Sequence, residues 1–496
     1  MNTPAYSTLT HTFTRLYHLN HLGALAGWDQ AAMMPAKGNA ARGAALAELQ
    51  VVMHQMLADV HLPSLLQSAS TEPLDALQQA NLREMRRDWT LSTLLPERLV
   101  QAQSLAASRC EHAWRTQRPN NDWAGFLANF REVVKNSREE ARILSQAHGI
   151  SPFDALMDKY EPGTRSADID TLFDDVKTWL PNLVQQVLAK QSGESVQTPV
   201  GPFPIERQRA LGIDLMGLLG FDFEAGRLDV SAHPFCGGVP EDVRITTRYT
   251  EADFMRSMMG IVHETGHARY EQNLPADRRH LPVGRARSMG IHESQSLSFE
   301  MQLGRSATFL HHIAPRVSQH LGQQPAFEAD NLARLYTRVQ PGFIRIDADE
   351  LTYTAHVILR YEIERDLING VIEPEDIPAL WDDKMAQYLG LDTRGNFKDG
   401  CLQDIHWTSG SFGYFPSYTL GAMYAAQFFA SIRRAHPDLD TRMAAGDLSP
   451  VFDWLQQHIW HQASRWSTDE LVQNATGETL NPAHFRAHLE QRYLSL

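Results

Sequence analysis

Apolar residues recur at spacings of three and four along most of this chain, as they do in helices packed by one face. Before residue 200 the pattern predicts helices over 9–25, 41–57, 73–89, 94–116, 123–148 and 169–188. Breakers such as Met34-Pro35, Leu62-Pro63 and Glu161-Pro162-Gly163 separate them, and 192–204, rich in Ser, Gly and Pro, reads as a loop. The main break in this period is at 227–250. There Leu228-Asp229-Val230 and the stretch 243–249 read as strands joined through Phe235-Cys236-Gly237-Gly238-Val239-Pro240. Such a sheet either braces the next helix or offers an edge strand to an extended peptide. Helical spacing resumes from Arg287 and includes 350–369, 377–389, 418–434 and 482–494. No repeat of fixed period is present, which argues against a solenoid. The predicted fold class is mostly α with one small β-sheet. The chain reads as one unit over 1–496: a helical N-terminal part to about 200, a metal-binding catalytic part at about 205–420, and a helical C-terminal part at about 421–496.

Directly after the predicted sheet, Met255, Met258, Met259, Val262, Gly266 and Tyr270 keep helical spacing. This segment carries His263-Glu264-Thr265-Gly266-His267. On a helix, His263 and His267 share one face and can hold one divalent ion between them. Glu264 projects beside them, placed to take a proton from a water that such an ion activates. Gly266 costs about 1 kcal/mol relative to Ala inside a helix. It therefore predicts a close neighbour there, either a second helix or a ligand.

Two histidines need a third ligand. One known continuation requires Gly three residues after the second His and a further His three later; Tyr270 and Asn273 stand there instead. The other uses a Glu on a following helix, and Glu293 lies 26 positions after His267. His263, His267 and Glu293 give a two-His, one-Glu set with a coordination position left open. His292 is the rival ligand. Neighbouring helix residues point in different directions, so His292 and Glu293 do not both bind, and His292 otherwise serves the substrate or the surroundings of the ligands.

Composition narrows the function classes. Charged residues are 21% and hydrophobic ones 43% of the 496, an ordinary globular mixture that argues against long disorder. The net charge of −14, without a long Lys/Arg run, disfavours nucleic acid and anionic membranes as partners. Cys110, Cys236 and Cys401 form no Cys-x-x-Cys pair, so neither a zinc finger nor a disulfide framework is indicated. The first ten residues lack the basic and apolar regions of a signal peptide, and no apolar run approaches membrane-spanning length. The expectation is a soluble cytoplasmic protein.

Several separated motifs together resemble the carboxypeptidase Taq family of metallocarboxypeptidases. Besides the two metal motifs, the latter in His292-Glu293-Ser294-Gln295, they are His233-Pro234-Phe235, Asp242-Val243-Arg244-Ile245-Thr246, Ile344-Arg345-Ile346-Asp347-Ala348-Asp349 and Gly400-Cys401-Leu402-Gln403-Asp404-Ile405-His406-Trp407. Trp28-Asp29, Met34-Pro35 and Tyr160-Glu161-Pro162-Gly163 also match, so the resemblance covers nearly the whole chain. It implies a helical, deeply clefted fold similar to neurolysin and angiotensin-converting enzymes. It further implies a homodimer, zinc or cobalt as the ion, and removal of single C-terminal residues from peptides with broad specificity.

Within that resemblance Arg345 is the candidate for the substrate's terminal carboxylate, because a guanidinium binds two oxygens at once. Asp347 and Asp349 nearby offer the alternative of an internal salt bridge. Tyr414, Tyr418 and His406 are candidates to stabilise the oxyanion, each with packing as the alternative. His233 and Arg244 are candidates to shape the substrate channel; for His233 the alternative is a buried structural histidine. Asp242 and Asp404 are expected to orient neighbours. Two other functions stay open on the residues alone: an oligopeptidase cutting inside peptides, and an inactive peptide-binding module.

Overall fold

The helices predicted before residue 200 are present, most of them longer than their apolar repeats at one end or both, two of them starting later, at Ala76 and Glu97: Pro4–Ala32, Asn39–Leu57, Ala76–Thr93, Glu97–Gln117, Trp123–His148 and Ser166–Gln191. They are taken from a computed structural model, which describes residues 3–495. Local chemistry sets their ends. Asp75 accepts from the Gln78 amide at 2.8 Å while the Gln78 side chain accepts from the Asp75 amide at 3.0 Å, a reciprocal cap that starts one helix. Gly149, at φ 68°, stops another. Three helices escaped the apolar spacing: Leu62–Ala69, Pro152–Met157 and Ile205–Leu218. The first two are short, and each begins with a proline in its first turn, where a missing N–H costs nothing; Leu62-Pro63 is a start rather than a break.

The sheet departs from the sequence expectation. Its strands are β1 (Gly226–Val230), β2 (Cys236–Val239) and β3 (Asp242–Thr247), in the order β1-β3-β2. The two predicted strands, β1 and β3, are parallel neighbours, and the connection between them contains a strand of its own, antiparallel to β3 with Cys236 opposite Ile245. Two glycines hid β2, since its pairing rests on backbone and not on side chains. Gly238 is required where it stands: its φ is 113°, and a Cβ there would lie 2.0 Å from the Asp242 carbonyl.

Buried apolar side chains gather in three clusters. A small one holds the first four helices together through Leu9, Phe13, Leu66 and Met85. The largest runs from Ala106 and Phe130 to Leu489 and Tyr493, so early and late helices share one interior. The third presses Leu228, Val243 and Ile245 of the sheet onto Ile261 and Ala268 of the helix Met255–Gln272. That contact fixes the helix bearing the two histidines against β3. Among the described residues no helix is long and apolar enough to cross a membrane.

Candidate active site

The helix Met255–Gln272 is almost entirely enclosed. Between Ser257 and Ala268 its only positions that are not buried are Gly260, His263 and His267, which share one stripe. Gly266, three residues after His263, lies on the packed flank of this stripe. A Cβ there would come 2.5 Å from the Gln295 carbonyl and 2.7 Å from Ser296 Cα, so the close neighbour is a second helix, Met289–Leu297. That helix carries Glu293.

His263, His267 and Glu293 present ligand atoms that all lie within 4.8 Å of one another. The Glu293 Oε2 atom is 3.4 Å from His267 Nε2 and 3.9 Å from His263 Nε2. The far nitrogen of each imidazole is held: His263 Nδ1 by Glu300 at 2.9 Å, and His267 Nδ1 by His292 Nδ1 at 2.7 Å. His292 in turn rests on Glu271 through Nε2 at 2.8 Å. Both ring nitrogens of His292 are thus engaged, and it braces His267 instead of joining the ligand set. Orientation of metal-binding imidazoles by such partners is the usual arrangement.

The electrostatics fit a divalent cation. Burial alone would depress His263, but the Glu293 and Glu300 carboxylates outweigh it and push the imidazole up to about 10. The pocket therefore holds negative potential in search of a cation. His267 is pushed down to about 4, chiefly by burial, and keeps its nitrogen lone pair free. Burial opposes ionisation of Glu300, yet the Arg305 guanidinium at 2.7 Å and His263 bring its carboxyl down to about 2. Glu300 sits on a π-helical turn, Ser298–Gly304, a local widening of the helix that follows Glu293. Sequence spacing gave no warning of it.

Glu293 is held from two sides. The helix Pro416–Ala435 meets it at Gly421, where a Cβ would come 2.7 Å from Glu293 Cβ. At the N-terminal end, the Tyr160 carbonyl accepts from the Met289 amide at 3.0 Å. The fully buried Glu161 carboxylate accepts from Ser288 Oγ at 2.6 Å and from the Gly290 amide. The Tyr160-Glu161-Pro162-Gly163 motif thus grips the start of the Glu293 helix. Glu161→Gln removes one of these acceptors, and the expected outcome is metal affinity weakened about 10- to 100-fold. Competition against a chelating dye measures it.

Glu264 is 8% exposed, and its Oε2 atom has no hydrogen-bond partner in the protein. Burial, opposed by His263, raises its carboxyl to about 7. A buried carboxylate oxygen without a partner, next to an ion site, is available to a reacting proton.

Arg345 has a different partner from those its own motif suggested. Its Nε donates to Asp404 Oδ1 at 3.0 Å and its Nη1 to the Tyr353 hydroxyl at 2.7 Å, while Asp347 pairs with Arg256 at 2.9 Å. Arg360 Nε donates to the other Asp404 oxygen at 2.6 Å. Asp404 therefore orients two guanidiniums, and Arg345 reaches the site alongside Tyr353, a residue the sequence reading did not single out. Tyr353 and Tyr418 contact each other edge to face at 6.0 Å, Tyr414 and Tyr418 at 5.3 Å. The His406 Nε2 atom is 3.2 Å from the Tyr418 hydroxyl. Burial first, with the Glu293 carboxylate contributing, raises Tyr414 and Tyr418, so both keep their O–H as donors. His406 is pushed down to about 4 by burial and the Arg345 charge.

Arg244 is committed elsewhere: it forms two bonds to Asp242, at 2.8 and 2.9 Å, and lies 4.1 Å over the Trp28 ring. It ties the first helix to the sheet. His233 is exposed, not buried, and precedes Pro234 at the approach to β2.

The family model for the carboxypeptidase Taq (M32) metallopeptidase matches residues 8–493. Thermostable carboxypeptidase 1 of Thermus thermophilus is 39% identical over 99% of both chains. Among solved structures, Trypanosoma cruzi metallocarboxypeptidase 1 is 50% identical and superposes with a TM-score of 0.98, covering 99% of this chain and 100% of that one. A Pyrococcus furiosus carboxypeptidase, 30% identical, superposes at 0.95 with full coverage of both. With a candidate metal-binding set assembled on a frame shared along its whole length with these enzymes, the chain belongs to the carboxypeptidase Taq (M32) family and is a metallocarboxypeptidase.

Proposed function

We propose that this metallocarboxypeptidase releases single C-terminal residues of broad identity from peptides, with Glu264 as general base and zinc as its ion, cobalt being an alternative. The observation that carries this reading is the Arg345–Tyr353 pair beside the His263, His267 and Glu293 set: burial, with the Glu293 carboxylate contributing, raises the Tyr353 hydroxyl that Arg345 holds. A divalent ion bound there supplies an electrophile for the scissile carbonyl and acidifies water. Glu264 accepts the water proton and returns it to the leaving amine nitrogen. Tyr414 or Tyr418, with His406 behind Tyr418, donates to the oxygen that gains charge.

The terminal carboxylate is assigned to Arg345 and Tyr353. The Tyr353 hydroxyl already accepts from Arg345, which leaves its own proton free to be donated outward. Tyr353→Phe should raise KM for free-acid peptides by roughly tenfold or more, the worth of one hydrogen bond to a charged group. It should leave KM for the matching C-terminal amides nearly unchanged. Equal losses on both sets would assign Tyr353 to packing.

A cavity of about 1250 Å³ is lined by Phe13, His54, Asp88, Lys159 and Tyr160, and the Tyr160 ring meets Tyr414 edge to face at 5.0 Å. We read it as the deep cleft, receiving the body of the peptide. His233 belongs to the channel in this reading, and Arg244 contributes through the sheet it anchors. A homodimer and a cytoplasmic place of action are part of the same proposal.

A further inference from the structure

Gly260 has no packing reason to be glycine. A Cβ built on it meets nothing within 4 Å, whereas one on Gly266 collides with the neighbouring helix. A glycine inside a helix costs about 1 kcal/mol against alanine. Gly260 is three residues before His263 and four before Glu264, hence on their face and one turn away. Together with Arg256, His263 and His267 it forms a stripe along which the helix opens outward.

A separate pocket of about 320 Å³ stands over this glycine, lined also by Pro234, Thr247, Arg248, Asp253 and Arg256. Its walls are the approach to β2, the end of β3 and the start of the metal helix. Arg256, at the far end of the stripe, is paired with Asp347 at 2.9 Å, two residues from Arg345. The stripe thus runs from the metal ligands towards the turn that bears Arg345. In a bound peptide only one residue lies between the scissile bond and the terminal carboxylate.

We propose that this pocket takes the side chain of the substrate's C-terminal residue, and that Gly260 keeps it deep enough for large side chains. The assignment rests on the carboxypeptidase reading above. Size rather than charge governs admission. Arg256 is balanced by Asp347 and Asp253, at 2.9 and 3.4 Å, and Arg248 lies exposed to solvent.

The test uses the full-length, metal-loaded protein and peptides of one common body ending in Ala, Leu or Phe. Gly260→Ala and Gly260→Val are compared with the wild type, and metal content is measured alongside. A Cβ at Gly260 meets nothing within 4 Å, so both variants are expected to fold and hold metal. The expected result is a graded loss. Val lowers kcat/KM for the Phe-ending peptide by about tenfold or more relative to the Ala-ending one, with Ala intermediate. An equal loss across all three endings with metal retained, or an unchanged profile, overturns the assignment. A wild type that releases no single residue from any peptide overturns the carboxypeptidase reading itself, and this assignment with it.

Discussion

Replacing Glu264 with Gln lowers kcat by roughly 10²- to 10⁴-fold, the usual worth of a general base, while the protein retains its metal. The side chains have the same shape, so the buried position is filled as before. What disappears is the proton acceptor, because an amide cannot take the proton of the attacking water. Glu264 is not a member of the His263, His267 and Glu293 set, and its Oε2 has no partner to lose. Steady-state kinetics with metal content measured on the same sample checks both halves. Full turnover with metal bound would remove Glu264 from the chemistry. Parallel loss of metal and activity would make it a structural support of the centre.

Asp404→Asn is expected to cost about 3–5 kcal/mol of stability, because it strands buried positive charge. Arg345 and Arg360 share this carboxylate, and their side chains are 6% and 0% exposed. Burial alone would raise the Asp404 carboxyl, but the Arg360 and Arg345 guanidiniums outweigh it and hold it well below the ordinary range. The sign follows from linkage: a depressed carboxylate contributes stability that is full above its unfolded pKa, about 3.9, and is lost as pH falls. The gap between wild type and variant should therefore be complete at neutral pH and narrow below about pH 4. Urea unfolding at several pH values measures it. A gap that does not change with pH would show that packing, not charge, supplies the stability.

The motif helices were legible because each carries a long apolar stripe, and Glu293 because its chemistry and spacing complete the two histidines. Gly266 announced its neighbour for a physical reason, since only a close backbone justifies the missing Cβ. Tertiary pairings left no such trace. Asp404 lies 59 residues from Arg345, and two aspartates nearer in sequence were the visible candidates. Tyr353 sits at an unremarkable helical position. Glu300 arrives at His263 through a π turn that breaks helical spacing. The strand β2 was invisible because glycines pair by backbone alone. The bracing role of His292 was one of the alternatives left by the sequence; only the contacts with His267 and Glu271 select it.

One time course by mass spectrometry addresses the activity most directly. A mixed set of peptides, each as free acid and as C-terminal amide, is incubated with the metal-loaded protein, with and without a chelator. The predicted result is a ladder of products shortened by one residue at a time from the free acids only, abolished by the chelator. Internal fragments from acids and amides alike would contradict it and identify an oligopeptidase. Intact peptides beside a metal-loaded protein would identify a binding module.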